Sequence, residues 1–166
     1  TFLTPTTVRA DESLPPAVQT KAHVPLTKLG AGTFRKFGFR IYNIAFWSAD
    51  GTWNKAKPYA LAIHYARDLS KETLVDGISD DIREEAVADD ATMQKWKNFL
   101  DHTLVDVKED DEIIALAMPK QKSYLFHNGS VLSVVDDQDF IKAVFNEWLG
   151  DKADEDLKED LLHKNP

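Results

Sequence analysis

The sequence contains no cysteine. That excludes disulfides, thiolate nucleophiles and cysteine-based zinc sites at once. No apolar run approaches the ~20 residues that span a bilayer. There is no GxGxxG, no GxSxG elbow, and no HExxH or HxxxH pair among the five histidines, His23, His64, His102, His127 and His163. Dinucleotide binding, serine hydrolysis of the elbow type and zinc proteolysis therefore have no motif to rest on. Basic charge is also short. Lys plus Arg is 20 against 28 for Asp plus Glu, a net charge of −8, which disfavours nucleic acid and anionic membrane surfaces as general partners. A methionine start is absent too. Thr1 opens the chain, as expected of a mature protein whose signal peptide has been removed, or of a trimmed fragment.

What is present is a globular composition, 43% hydrophobic and 29% charged over 166 residues, enough for one domain that buries roughly 70% of its extended surface. Residues 1–16 mix Thr, Pro and charge without periodicity and read as a loose arm, with a single domain over 17–166. Val18, Ala22, Val24 and Leu26 suggest an edge strand or bend interrupted by Pro25. Gly30-Ala31-Gly32 permits a tight reversal or a close backbone approach. The run from Phe34 to Trp47 is rich in aromatic and β-branched residues and reads as one long strand ended by Asp50-Gly51. Its alternation puts Lys36, Arg40, Tyr42, Ile44 and Phe46 on one face: cationic at one end, apolar at the other, with a phenol between. Such a face suits an amphipathic anion, and equally an ordinary sheet with snorkelling side chains.

Further on, Tyr59 to Ala66 is a second strand paired with the first as a hairpin. Ser70 caps a helix carrying Leu74, Val75, Ile78 and Ile82 inward and Asp76, Asp80, Asp81, Glu84 and Glu85 outward. A solvated acidic face explains Asp80-Asp81 and Asp89-Asp90 better than a metal site, since no ligand spacing of a calcium loop is present. A helix from about Asp90 buries Met93, Trp96, Phe99 and Leu100. Glu112–Met118 is a buried strand, and Asn128-Gly129 between apolar runs marks a two-residue hairpin turn. Asp136 caps a helix with the stripe Phe140, Val144, Phe145, Trp148 and Leu149, ended by Gly150, and Asp154–His163 forms a last helix. Hairpin connections with intervening helices give an α+β fold: a large antiparallel sheet with helices on one face. His64 and His127 lie in strands of that sheet, where a cross-sheet approach would make them a pair, although lone strand histidines are more often structural or exposed than catalytic.

The ordered combination of Gly30-Ala31-Gly32, Arg35, Phe37 to Tyr42, Leu61 to Ser70, His127-Asn128-Gly129, Asp136 to Phe140 and Trp148-Leu149-Gly150 resembles the bacterial chalcone isomerase-like proteins from about Leu29 to Leu162. The resemblance implies the chalcone isomerase fold, a ligand cleft between strand and helix, no cofactor, and a periplasmic or secreted location, because members typically carry a secretory signal. In plant chalcone isomerases an arginine near the start of the long strand holds the ligand's oxyanion. A threonine on that strand and a tyrosine at the next helix help to position water or the ketone. By motif the arginine falls at Arg35, the threonine on Tyr42, and the tyrosine has only Thr73 nearby. The larger Tyr42 fills the cleft, and the missing tyrosine removes a donor that enolate stabilisation needs. An arginine with a tyrosine at the threonine position looks more like the fatty-acid-binding members, in which the cation holds a carboxylate. The resemblance thus implies a non-catalytic protein binding a small lipophilic or fatty-acid-type carboxylate, or a flavonoid-like ligand, through Arg35, Tyr42, Arg40 and Thr73. The alternatives are an isomerase or intramolecular lyase acting on an enone, and an interaction domain whose cleft Phe46, Trp47 and Tyr65 close.

Overall fold

The computed structural model describes residues 13–85 and 88–162. Six strands follow one another in a single sheet, each antiparallel to its neighbours: β1 Leu26–Lys36, β2 Phe39–Ala49, β3 Tyr59–Tyr65, β4 Glu112–Ala117, β5 Ser123–His127 and β6 Ser130–Val135. Between β3 and β4 the chain makes an excursion through α2 (Lys71–Glu85) and α3 (Asp90–Thr103). Paired backbone hydrogen bonds between Leu69 and Val107, at 2.9 and 3.0 Å, close it. Helices α4 (Gln138–Leu149) and α5 (Glu155–Leu161) follow the sheet, and a short α1 (Pro16–Ala22) precedes it.

Strand alternation sorts the core into two layers. Ile44 and Phe46 of β2, Leu61, Ile63 and Tyr65 of β3, and Ile113 and Ala115 of β4 pack with α2 to α5. Ala45, Trp47, Ala60, Ala62, Ile114 and Leu116 point the other way, where Leu14 and α1 cover them. Each of the large apolar side chains fully buried here contributes roughly 1.5–3 kcal/mol by leaving water. The α+β architecture with its main helical layer on one face is the one the sequence implies, and α1 on the opposite face is an addition.

Four sequence expectations are corrected. Phe34 to Trp47 is not one strand: the chain reverses at Phe37 (φ 52°) and Gly38 (φ 81°), pairing Lys36 with Phe39. Phe37 in the turn and Phe39 after it continue the aromatic pattern of the flanking strands, which hides the reversal. Ser13 to Pro16 is not a loose arm, because Leu14 is buried and Pro16 starts α1; residues 1–12 lie outside the described residues. Val18 and Ala22 are four apart on a helix, where spacing of four rather than two brings them to one face. The cap of α4 is Asp137 rather than Asp136, its carboxylate accepting from the Phe140 amide at 3.1 Å. The last helix, expected over Asp154–His163, runs as α5 (Glu155–Leu161), with His163 outside the described residues.

Gly30 and Gly32 sit inside β1 and serve close approach, not reversal. A Cβ on Gly30 would stand 2.1 Å from the Asp160 carbonyl oxygen, and one on Gly32 would stand 2.6 Å from Leu157 Cδ1. Their missing side chains let α5 lie directly on the strand. The hairpin expected at Asn128-Gly129 is present, with φ of 48° and 83°.

Candidate functional site

Tyr42 lies where β2 passes under α4, and it is half-buried. Cross-strand pairing sets Phe34 against it, the two rings stacked with centroids 5.0 Å apart. On the other side β3 pairs Tyr65 with it, edge-on at 6.0 Å. From α4 above, Trp148 Nε1–H donates to the phenolic oxygen at 2.9 Å. That bond uses an oxygen lone pair and leaves the phenol's own proton available as a donor. The result is a hydroxyl held in a collar of three aromatic rings.

The neighbour that sequence reasoning missed is Glu147. Its carboxyl sits close enough to raise the pKa of both tyrosines. Burial pushes the Tyr42 phenol far up, against the pull of the Trp148 hydrogen bond, and the negative field of Glu147 adds to it. Tyr65 is raised by burial first and by Glu147 second. Glu147 is itself raised well above the ordinary carboxylate range, first by burial, then by the hydrogen bond and negative charge of Asp81 on α2. Its Oε1 is sealed from solvent and has no hydrogen-bond partner among the described residues. Burial and Asp81 thus both favour the protonated form of Glu147, in which it adds a polar group without adding charge. A signal for it exists in the sequence. Glu147 falls seven residues after Phe140 and four after Ala143, on the apolar stripe of α4, where a carboxylate is out of place. Asp81, read as solvated, is exposed as expected but also partners this group.

The four residues expected at a head group are not brought together. Arg35 and Arg40 pair with each other beside the Phe37-Gly38 turn, beyond a register shift, and both are exposed. Neither makes a hydrogen bond or ion pair with Tyr42. Thr73 is exposed in the first turn of α2, its hydroxyl 2.9 Å from the Ser70 Oγ that caps the helix. Only Tyr42 occupies the sheet–helix junction. The reason is the hairpin: with the turn at Phe37-Gly38, Arg35 belongs to the preceding strand, and it lies at the strand end.

His64 and His127 do not meet either. His64 Nε2 is 3.2 Å from Asp110 and His127 Nε2 is 3.2 Å from Asp111, so each pairs with its own aspartate in the acidic turn before β4. Among the described residues no group of three or more His, Asp or Glu is arranged to hold a metal, and no helix is long and apolar enough to cross a membrane.

A family model described as chalcone isomerase-like matches residues 8–163. No curated protein matches the chain. Among solved structures, the fatty-acid binding protein AtFAP1 of Arabidopsis thaliana superposes with a TM-score of 0.63 at 11% identity, over 82% of this chain and 86% of that one. Identity this low speaks for the shared fold alone.

Proposed function

The chain belongs to the chalcone isomerase-like family, and from that premise we propose that it is a non-catalytic binding protein for a small lipophilic molecule. The ligand's polar end lies beside Tyr42, between the sheet and helices α2 and α4. The observation that carries the reading is the Trp148–Tyr42 hydrogen bond, which fixes a half-buried hydroxyl with its proton free to donate. Glu147, near enough to act on the Tyr42 phenol, adds a second buried polar group with an unpartnered oxygen. A polar end that both accepts and donates, such as a protonated fatty carboxyl, suits the two groups, and the fold is shared with a protein described as binding fatty acids. The acyl chain supplies affinity at ~0.8 kcal/mol per buried CH₂, and the hydroxyl supplies orientation.

Isomerase chemistry has less to draw on. It requires donors arranged around a developing enolate, whereas Thr73 is committed to the α2 cap and the arginines stand at the hairpin end. A closed interaction domain is favoured by one observation: Phe46, Trp53 and Tyr59 pack edge to face at 4.7 to 6.2 Å and fill the neighbouring stretch of the sheet. As part of the proposal the protein works in the periplasm or outside the cell, a setting in which a cysteine-free chain is at no disadvantage.

Titration of delipidated protein with a long-chain fatty acid, followed by calorimetry, tests the proposal. Saturable one-to-one binding is expected. A flat titration with folded protein removes the binding reading in favour of the interaction domain.

A further inference from the structure

The turn that splits the expected long strand is built from the wrong residue. A two-residue turn with positive φ at both positions selects Asn, Asp or Gly, and Asn128-Gly129 obeys that rule. Phe37 adopts φ 52° in the same geometry, although bulky side chains are strained there. Its ring gains nothing from burial in return, being 89% exposed, and Phe39 beyond the turn is 59% exposed. Local rules broken without a packing gain point to function.

The charge around the tip is equally out of character. Residues 13–49 contain Lys21, Lys28, Arg35, Lys36 and Arg40 and no Asp or Glu, in a chain of net charge −8. Arg35 and Arg40 stand directly opposite each other across β1 and β2, a like-charge pair that costs stability. Lys36 Nζ lies 5.9 Å from the Phe37 ring, and the Arg67 guanidinium 5.1 Å from the Phe39 ring. Among the described residues no carboxylate is within ion-pair distance of Arg35, Lys36, Arg40 or Arg67.

We propose that the β1–β2 hairpin tip is a docking element for an anionic lipid bilayer, Phe37 and Phe39 entering the headgroup region while Arg35, Lys36, Arg40 and Arg67 meet lipid phosphates. Exposed rings flanked by cations with no carboxylate partner among the described residues are the combination such an interface rewards, each cation near the surface contributing about fivefold in affinity. The acidic remainder of the chain is repelled, so the contact is weak and orients the molecule tip-first. The same hairpin carries Phe34 and Tyr42 a few residues from the turn, which sets the candidate site next to a lipid source.

The test is co-sedimentation of the full chain with vesicles of phosphatidylcholine alone, or of phosphatidylcholine with phosphatidylglycerol. Binding is expected only to the anionic vesicles, with loss when salt is raised about tenfold. The double variant Arg35→Ser/Arg40→Ser should lower it by ~25-fold. Phe37→Asn should weaken binding about tenfold or more while raising the melting temperature, which separates docking from folding. No binding to anionic vesicles overturns the proposal, as does Phe37→Asn binding like wild type. Retention on heparin that is indifferent to Phe37→Asn, without vesicle binding, assigns the tip to a polyanion and overturns it too.

Discussion

The indole of Trp148 donates its hydrogen to the phenolic oxygen of Tyr42 across 2.9 Å, joining residues 106 positions apart and tying α4 to β2. Both partners come from apolar patterns, one a helical stripe and one a strand face, and the bond is the polar contact between those layers at the candidate site. Trp148→Phe keeps most of the buried ring but removes the donor. It should cost about 1–2 kcal/mol, read from chemical denaturation, and leave the folded secondary structure intact by circular dichroism.

Glu147 makes the pH dependence of stability informative. The folded protein retains a proton on Glu147 where the unfolded chain, with a carboxyl near about 4.3, has lost it. The native state therefore binds more protons, and this group's contribution falls as pH rises from about 4.3 until its raised folded value is passed. Glu147→Gln should flatten that decline and melt higher than wild type at neutral pH, by ~2–4 °C for each kcal/mol relieved. Differential scanning calorimetry across the range reads both effects. On the acid side the order reverses for Asp111. The Lys108 amide, then the Asn128 and His127 side chains, hold its pKa down, so its contribution is present at neutral pH and lost on acidification.

The two hairpin turns predict substitutions of opposite sign. Phe37→Asn replaces a strained residue by one that tolerates the left-handed region and should stabilise by about 1 kcal/mol. Gly129→Val puts a β-branched residue at φ 83° and should destabilise by about 1 kcal/mol or more. Equilibrium unfolding of the pair checks them together, and equal signs would contradict the turn geometry.

These turns also show what the sequence made legible. Asn128-Gly129 announced itself because its residues are those the backbone conformation demands. Phe37-Gly38 did not, because a residue placed against its local preference leaves no local signal. The sheet, the capped helices and the family resemblance were readable from periodicity and ordered motifs. The separation of Arg35 and Arg40 from Tyr42 is not, because it follows from the reversal at Phe37-Gly38. Strand alternation puts Tyr42 on the face that meets α4, and the helical position of Glu147 marks it as inward, a signal that its charged side chain masks.

Gly30 offers a purely structural check on the contact between α5 and β1. Gly30→Ala forces a methyl to within 2.1 Å of the Asp160 carbonyl, so α5 must shift. A loss of roughly 1–3 kcal/mol is expected from such overpacking, with protection from hydrogen exchange falling first in residues 155–161.

The most direct test of the binding site compares three proteins, wild type, Tyr42→Phe and Arg35→Ala/Arg40→Ala, titrated calorimetrically with one long-chain fatty acid in detergent-free buffer. Tyr42→Phe removes the fixed donor and should weaken binding by about tenfold, while the arginine variant should stay close to wild type. Unchanged affinity in Tyr42→Phe together with a large loss in the arginine variant would contradict the site at the Tyr42–Trp148 junction and move the head group to the hairpin.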